Sequence, residues 1–345
     1  MKKTISLALA ALCLVFGTAF PAWAEGSGAF GIQAGDLIDY GVYEESPITW
    51  RVLDAEQTNS GEKGIFLLSD GLLDVGEVAF DESSTLWEGS LAQEWCTEFA
   101  RQAFSPSELR LIPAVSKDEG EAYLYALSWR EVSLREEQVF FLSVIELEQY
   151  FGSYSDINKT TVERSSMESY WWLRTPHRYH DDYHGIVLQG NWVHDYLPQS
   201  RWSARPCINL TVEDALLLLP SGDEGALGPV QREEREEQGH WKLLVQREND
   251  PFHVTQVTEE NGMLRILYSG AEVSDRSRIT LLVSGGDGAD VQAIRLSEIQ
   301  AAEGEITISR EALSIPEGTR LFLICEECNG PSQTNYAGTP QELTP

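Results

Sequence analysis

One stretch of the sequence, residues 170–210, limits the possible folds more than any other. It begins with a Tyr-Trp-Trp block, continues through a Leu-Arg-Thr-Pro corner and a Gln-Gly-Asn turn at 189–191, and closes on an Arg-Pro segment. Short apolar runs separated by Gly, Pro and Asn are typical of strands joined by tight turns. We therefore expect strands at 170–174, 184–188 and 203–210, with a hairpin around 189–191.

The first 24 residues are predicted to be a signal peptide. Lys2 and Lys3 are followed by an apolar run at 5–16 and by the small-x-small sequence Ala22-Trp23-Ala24, which is the order of a secretory signal with cleavage after Ala24. This apolar run is too short to cross a bilayer as a stable helix. We therefore expect a secreted or cell-surface-associated protein with no membrane span in the mature chain.

The charge of the chain excludes one class of partner. Its 55 acidic and 25 basic residues give a formal net charge of −30. A nucleic-acid-binding surface needs clustered Lys and Arg to meet phosphates, and no such cluster is present, so no nucleic-acid partner is expected. A diffuse acidic surface of this kind keeps an exported protein soluble.

Four cysteines follow the predicted signal peptide, at Cys96, Cys207, Cys325 and Cys328. Export permits disulfides, but four cysteines in a chain of this length do not form a disulfide scaffold. Cys325 and Cys328 form a C-x-x-C at the end of a predicted strand, which is not the helix N-terminus that redox cysteines use. A local disulfide and two free thiols both remain open.

The pattern of the mature chain predicts two domains and a linker. Residues 25–219 combine short strands with a helix at 90–104, on which Leu91, Trp95, Phe99 and Ala103 form one apolar stripe. Capping boxes at Ser105 and Ser143 predict two further helix starts. Residues 220–239 are acidic and rich in breakers, as in an exposed linker. Residues 240–345 contain seven strand-like runs, as in an immunoglobulin-like β-sandwich.

The first of these domains resembles a known family. The matching segments, in order, are ITWRVLD, SLAQEWCTEFARQAFSPSELRLI, VFFLSVIELEQYF, WWLRTP and ARPCINL. They resemble the bacterial extracellular family named domain of unknown function 6273. The resemblance implies a secreted or surface protein with a fold similar to C-type lectins and sulfatase-modifying factors. The predicted fold class is thus an α+β C-type-lectin-like N-terminal domain followed by an all-β immunoglobulin-like C-terminal domain.

The resemblance supplies no activity. Sulfatase-modifying enzymes need a cysteine pair near the reactive centre, whereas Cys96 falls on a helical stripe and Cys207 in a strand. The Glu-Pro-Asn or Gln-Pro-Asp loop of calcium-dependent lectins is missing as well. No enzyme motif and no cofactor is predicted.

Histidines and acids cluster in the loop that follows the aromatic block. His177, His180, Asp182 and His184 are candidate metal ligands, because imidazole and carboxylate are ligands for transition metals. No zinc signature has this spacing, so a polar surface loop that happens to contain histidines is the alternative.

Aromatic residues in the same region are candidate ligand-binding residues. Tyr179, Tyr183, Trp192 and Tyr196 fall in the predicted loop and hairpin, where an exposed ring can stack on a sugar or a peptide. The alternative is that these rings cover the core. Two arginines nearby, Arg174 and Arg205, are expected to pair with carboxylates inside the fold.

Three hypotheses for function follow. The first is an exported, non-enzymatic binding or adhesion protein whose partner is an extracellular glycan or protein. The second is an exported enzyme with a divergent, metal-assisted site in the cluster from His177 to His194. The third is a structural component of the bacterial cell envelope. An exposed aromatic surface favours the first, converging His and Asp side chains the second, and a fully packed loop the third.

Overall fold

The computed structural model describes residues 31–152, 170–188, 192–211, 215–230, 238–284, 291–316 and 318–344. The predicted signal peptide at 1–24, the turn at 189–191 and part of the predicted linker lie outside these residues. Within them, no helix is both long and apolar enough to cross a membrane.

Strands dominate the structure, with 50% of the described residues in strands and 9% in helices. The helices are α1 (Leu91–Ala103), α2 (Pro106–Leu109) and α3 (Val144–Phe151). The strands of the first part are β1 (Leu37–Tyr43), β2 (Ser46–Asp54), β3 (Ile65–Ser69), β4 (Leu73–Ala79), β5 (Val115–Glu119), β6 (Ala122–Leu124), β7 (Leu127–Trp129), β8 (Val132–Glu137), β9 (Val139–Phe141), β10 (Trp171–Pro176), β11 (His184–Val187), β12 (Val193–Tyr196), β13 (Arg201–Ala204), β14 (Pro206–Leu210), β15 (Ala215–Pro220) and β16 (Gly228–Pro229). The later strands are β17 (His240–Gln246), β18 (His253–Glu260), β19 (Met263–Ser269), β20 (Ser277–Ser284), β21 (Val291–Glu298), β22 (Gly304–Ser309), β23 (Arg320–Glu327), β24 (Asn335–Ala337) and β25 (Gln341–Glu342).

The predicted fold class is wrong for residues 25–219, because the described residues form mostly strands and not an α+β lectin-like domain. The three helices are short, and the segment between α2 and α3 forms the five strands β5 to β9. Strands of three residues, such as β6 and β7, carry too few side chains to show a period of two. Their existence depends on pairing with a neighbour, which the local pattern does not reveal.

The predicted helix starts are confirmed. Ser90 accepts a hydrogen bond from the Gln93 amide at the start of α1. Ser105 and Ser143 each form a full capping box, α2 with Glu108 and α3 with Glu146. Both devices satisfy amides that have no partner inside the first helical turn.

Three of the four residues of the predicted α1 stripe pack on the core. Phe99 and Ala103 are buried, and Trp95 is half-buried and stacks on Phe99. Leu91, the first residue of the helix, is exposed. The buried face also includes Ala92, Cys96 and Ala100.

One sheet runs through both parts of the chain. Its strands lie in the order β16, β21, β20, β23, β24, β17, β1, β2, β3, β14 and β9, while β15 also pairs with β17 and β25 with β23. The two parts are joined at β17, which pairs in parallel with β1, aligning Leu37 with His240, and antiparallel with β15. The predicted domain boundaries at 219 and 240 thus lie at strands of a continuous sheet.

The described part of the segment predicted as a linker contacts this sheet. Gly228 and Pro229 form β16, which pairs with β21. Asp223 accepts two hydrogen bonds from the Arg295 guanidinium, at 2.8 and 2.7 Å. Lys242, whose side chain is buried, donates to the Asp223 carbonyl oxygen at 2.8 Å.

The C-terminal part is all β, and each of its seven predicted strands is present as β17 to β23. The three-stranded sheet β18, β19 and β22 covers one face of the main sheet. Along β23, Leu321, Leu323 and Cys325 enter that core, whereas Phe322 and Ile324 belong to a second core on the opposite face. This alternation is the period-two pattern of a strand that is buried on both sides, and it is compatible with an immunoglobulin-like sandwich.

Candidate functional site

The candidate site is built on a five-stranded sheet with the order β12, β11, β10, β13 and β4. Its central strand β10 is buried at all six positions. The indole nitrogen of Trp172 donates to the Val78 carbonyl oxygen at 2.7 Å, which joins β10 to β4 across the core. The Arg205 guanidinium lies over the Trp171 ring, 5.1 Å from its centroid. This strand is a rigid support for the loop that follows it.

A buried ionic cluster holds β10 against the neighbouring elements. The Arg174 guanidinium donates to Glu146 at 2.5 Å and to Glu119 at 2.9 Å. Lys117 contacts the same two carboxylates, at 3.0 and 2.8 Å. Burial alone would raise the pKa of Glu146, but the two cations hold it well below its usual range. The pairing predicted for Arg174 is confirmed, and the arginine is used inside the fold and not for an external anion.

His177 organises the loop between β10 and β11. Its Nδ1 accepts hydrogen bonds from the backbone amides of Tyr179 and His180, at 3.2 and 3.1 Å. An imidazole accepts through Nδ1 only when that nitrogen carries no proton. Burial lowers the pKa of His177, although Asp195 opposes the effect. The side chain therefore acts as the cap of a tight turn.

His184 is enclosed completely. Its Nδ1 lies 3.1 Å from the Thr85 carbonyl oxygen, its Nε2 lies 2.9 Å from the Leu173 carbonyl oxygen, and its ring stacks on Phe80. A neutral imidazole has one N–H and can donate to only one of these carbonyls at a time. Burial lowers the pKa of His184 to about 3, against the raising effect of the carbonyls. Neither nitrogen is open to a ligand.

The four candidate metal ligands are thus used in different ways. His180 and Asp182 are exposed, while His177 and His184 are buried and bonded to the backbone. Among the described residues, no three His, Cys, Asp or Glu side chains are placed to hold a metal ion. The structure brings two of them together, since the ring centroids of His177 and His180 lie 4.8 Å apart, but Nδ1 of His177 is already bonded to the backbone.

The edge strand β12 carries the most exposed aromatic surface of this sheet. Trp192, His194 and Tyr196 occupy alternate positions and are exposed, while Val193 and Asp195 between them are buried. Trp192 is 63% exposed and Tyr196 42%. Successive side chains of a strand point to opposite faces, so these three side chains share one face. We call Trp192, His194 and Tyr196 the aromatic strip.

The other two candidate rings lie in the loop. Tyr179 is 70% exposed, and the Arg178 guanidinium lies over its ring at 5.3 Å. Tyr183 is half-buried and packs edge-on against His180. Tyr179 is therefore an exposed ring of the loop, while Tyr183 contributes to the packing of the loop.

His194 covers the outer backbone of the edge strand. Its Nδ1 lies 2.9 Å from the Asp195 amide nitrogen and 2.8 Å from the Asp195 carbonyl oxygen. Depending on its tautomer, the ring accepts from the amide or donates to the carbonyl. An edge strand presents open backbone groups to which another strand can pair, and at Asp195 the imidazole occupies that place.

A cavity of about 180 Å³ lies beside the loop, between the start of α1, strand β8 and Pro176 at the end of β10. The sequence patterns did not single out its wall residues Trp87 and Glu137 as functional. Glu137 follows another glutamate in a strand of mixed polarity, and nothing local distinguishes it from a surface residue.

The cysteines offer no reactive centre. Cys96, Cys207, Cys325 and Cys328 are all free and buried. Burial raises the pKa of Cys325 to about 11 and that of Cys328 to about 12. The thiolate is the reactive form of cysteine, so both residues stay protonated and unreactive at neutral pH. Of the two alternatives for the C-x-x-C, the structure contains the free thiols.

Comparison with known proteins supports the family assignment. Residues 62–212 match the family model described as domain of unknown function (DUF6273). The resemblance to this family is therefore confirmed for that part of the chain, which includes the five-stranded sheet and the aromatic strip. No curated protein matches the chain, and neither does any solved structure.

Proposed function

We propose that the protein is an exported binding protein of the bacterial cell exterior, and that its ligand is an extracellular glycan held on the aromatic strip. One observation carries the proposal: Trp192, directly before the edge strand β12, and Tyr196 within it are exposed on one face, whereas Trp171 and Trp172 of the central strand β10 are buried. Amphipathic aromatic side chains placed between an apolar and a polar environment are typical of recognition surfaces.

The rigid support beneath the strip favours binding. β12 pairs with β11 through four consecutive residues, and β11 pairs with the buried strand β10. Ligand contacts on a rigid scaffold cost little conformational entropy, because the side chains are already in place. Trp192 and Tyr196 are four residues apart, which corresponds to about 13 Å along a strand. Rings at this separation suit an extended oligomer better than a single small molecule.

A glycan is favoured over a peptide that adds a strand to the sheet. Strand addition needs open backbone groups along the edge, and the His194 imidazole covers those of Asp195. The net charge of −30 also disfavours acidic partners. A neutral oligosaccharide needs no open backbone groups and is not repelled by the negative charge. A protein partner is the alternative that the experiment must separate.

Two further observations bear on the proposal. Export is supported by the charged-apolar-small order of residues 1–24, which lie outside the described residues. The enzyme hypothesis needs side chains that converge on a reaction centre. In the described part of the cluster from His177 to His194, the imidazoles of His177, His184 and His194 bind the backbone, and that of His180 is exposed.

The test is a screen of the mature protein against an array of bacterial and host glycans, and against extracted surface proteins. For any ligand found, Trp192→Ala and Tyr196→Ala should each weaken binding by about 1–3 kcal/mol, in the range of interface hot spots. Tyr123→Ala is the matched control, because Tyr123 is 72% exposed and lies on β6, outside this sheet.

Three outcomes would contradict the proposal in different ways. Binding to a protein but to no glycan would support the aromatic strip as a binding site and would contradict a glycan as its ligand. If Tyr123→Ala weakened binding as much as Trp192→Ala and Tyr196→Ala, the aromatic strip would not be the binding site. The absence of any ligand in both screens would reject the binding function.

A further inference from the structure

Three buried polar side chains meet on one face of the main sheet, in the C-terminal part. Lys242 lies on β17, Asn335 begins β24 and Glu326 lies near the end of β23, and these three strands are neighbours in the sheet. Lys242 and Asn335 are 0% exposed, and Glu326 is 1% exposed. Lys and Glu are almost never fully buried unless they are paired, so the contacts of this cluster indicate what it can do.

The Asn335 carboxamide lies between the other two side chains. Its Oδ1 accepts a hydrogen bond from Lys242 Nζ at 3.2 Å, and its Nδ2 donates to Glu326 Oε1 at 2.8 Å. The backbone amide of Asn329 also donates to this Oδ1, at 2.9 Å. A carboxylate only accepts and an ammonium only donates. These contacts therefore fix which end of the carboxamide faces the lysine.

The environment of Lys242 favours the nucleophilic form of its amine. Burial lowers the pKa of Lys242, although the nearby Asp223 opposes the effect. A desolvated lysine releases its proton more readily, and the free amine is the form that attacks a carbonyl carbon. Asp223 Oδ2 lies 3.9 Å from Nζ and can take that proton.

The environment of Asn335 favours attack at its Cγ. The Asn329 amide already donates to Oδ1, where negative charge develops during the attack, and a fixed donor at that place stabilises the charge. Glu326 contacts Nδ2, the nitrogen that leaves. Glu326 is itself held in place, because its Oε2 accepts from Arg295 Nε at 3.0 Å and from the Thr280 hydroxyl at 2.7 Å. Reacting groups that are positioned in advance lose little entropy when they react.

We propose that Lys242 and Asn335 become joined by an amide bond, which is an isopeptide cross-link between β17 and β24. Asp223 takes one proton from Nζ, and the free amine attacks Cγ of Asn335. The Nζ–Cγ bond forms and the Cγ–Nδ2 bond breaks, while Glu326 passes the second proton of Nζ to Nδ2. The leaving ammonia takes the proton from Asp223. One lysine ammonium and one carboxamide thus become one secondary amide and one ammonium ion, and no oxidant is needed.

The cross-link connects the first strand of the C-terminal part to a late one. Its two residues are 93 positions apart in the chain, and a covalent bond across such a loop restricts the unfolded chain as a disulfide does. The cysteines do not supply such a bond, since Cys96, Cys207, Cys325 and Cys328 are free. The inference does not depend on the proposed glycan binding, because no residue of the aromatic strip takes part.

The test is the intact mass of the full-length mature protein, measured after denaturation. The wild type should be about 17 Da lighter than the mass calculated for the same N-terminus, because one ammonia molecule is lost. After proteolysis, tandem mass spectrometry should find a branched peptide that contains both Lys242 and Asn335.

Three variants test the roles of the residues. Lys242→Met and Asn335→Leu each remove one reacting group and keep the approximate size, so both proteins should have their calculated masses. Glu326→Gln keeps the size but removes the proton carrier, and most of its molecules should have the calculated mass. The wild-type measurement remains decisive if a variant fails to fold.

A second cluster of the same three residue types is an internal control. Lys117 and Asn59 both contact Glu146. There the lysine contacts the carboxylate, and the carbonyl oxygen of Asn59 accepts from Asn209 at 2.8 Å. No branched peptide that joins Lys117 to Asn59 is expected.

Two results would overturn the cross-link. The first is a wild-type mass equal to the calculated one, which would leave Lys242 as a buried ammonium bonded to oxygen atoms. The second is a mass deficit confined to one unbranched peptide, as when an asparagine cyclises on its own backbone. A complete cross-link in Glu326→Gln would overturn the role given to Glu326. Failure of the glycan screen would affect none of these measurements.

Discussion

Strand β10 and the segment from Trp192 through β12 belong to the same sheet and differ in what their aromatic residues do. β10 lies between β11 and β13 and is buried at every position, whereas β12 has β11 as its neighbour and exposes alternate side chains. Both segments begin with tryptophan. Their place in the sheet, and not their composition, decides whether a ring stabilises the fold or faces solvent.

The contrast extends to charged and titratable groups. Arg174 in β10 is buried with two carboxylates, while Arg178 in the following loop forms an ion pair with Glu121 near the surface. His184 at the start of β11 is enclosed, and His194 in β12 is exposed. Each pair offers the same side chain in two environments, which makes the comparison testable.

The largest expected difference concerns the tryptophans. Trp172→Ala should lower the free energy of unfolding by about 3–5 kcal/mol, because it leaves a cavity in the core and removes the hydrogen bond to Val78. Trp192→Ala should change it by less than about 0.5 kcal/mol, as is usual at the surface. Chemical denaturation measures both. Similar losses for the two variants would refute the distinction between β10 and the strip.

Arg174→Met should be nearly as damaging. It leaves Glu119 and Glu146 buried without their main cation, and breaking a buried ion pair typically costs about 3–5 kcal/mol. The matched control is Arg178→Met, for which the loss should be less than about 1 kcal/mol because exposed ion pairs contribute little. Comparable denaturation midpoints for the two variants would show that the buried cluster is not needed for stability.

The histidines should differ in the pH dependence of stability. Burial lowers the pKa of His184 to about 3 in the folded protein, whereas an unfolded histidine titrates near 6.5. The stabilisation is therefore complete above about pH 6.5 and is lost as the pH falls toward 3, because the unfolded state then binds the extra proton. The effect should be on the order of 2–4 kcal/mol.

The measurement for this prediction is the slope of unfolding free energy between about pH 6.5 and pH 4. His184→Gln should reduce the slope relative to the wild type, whereas the exposed control His194→Gln should retain it. Many carboxylates also titrate in this interval, so only the difference between the two variants is informative. Equal slopes for the two variants would mean that His184 is not held neutral by the fold.

The smallest expected effect lies in the loop between these strands. His177→Ala removes the acceptor for the amides of Tyr179 and His180 and should cost about 1 kcal/mol, in the range of a lost hydrogen bond. His177→Asn keeps a side-chain acceptor and should recover part of the loss. Amide hydrogen exchange at residues 179 and 180 reports the change directly. Unchanged exchange in His177→Ala would rule out the proposed turn cap.

Some features of the candidate site could be predicted from the sequence and others could not. The exposure of Tyr179, Trp192 and Tyr196 agrees with their predicted place in a loop and hairpin. The cavity with Trp87 and Glu137 was not predicted, because its wall comes from residues 86–93, from β8 and from the end of β10, which are far apart in the chain. A site whose residues are far apart in the sequence cannot be predicted from the sequence unless those residues form a recognisable motif.

By itself, the sequence determined the helix starts at Ser90, Ser105 and Ser143 and the seven strands of the C-terminal part. Helix caps, turns and the alternation of buried and exposed side chains depend on interactions within a few residues, so the local sequence is enough to predict them. Only the tertiary structure decided that the fold is mostly β and that β1 pairs with β17 to join both parts in one sheet. It also decided which tryptophans and histidines are buried. Those outcomes depend on which distant strand lies alongside, because burial and backbone pairing are satisfied between segments that local sequence does not link.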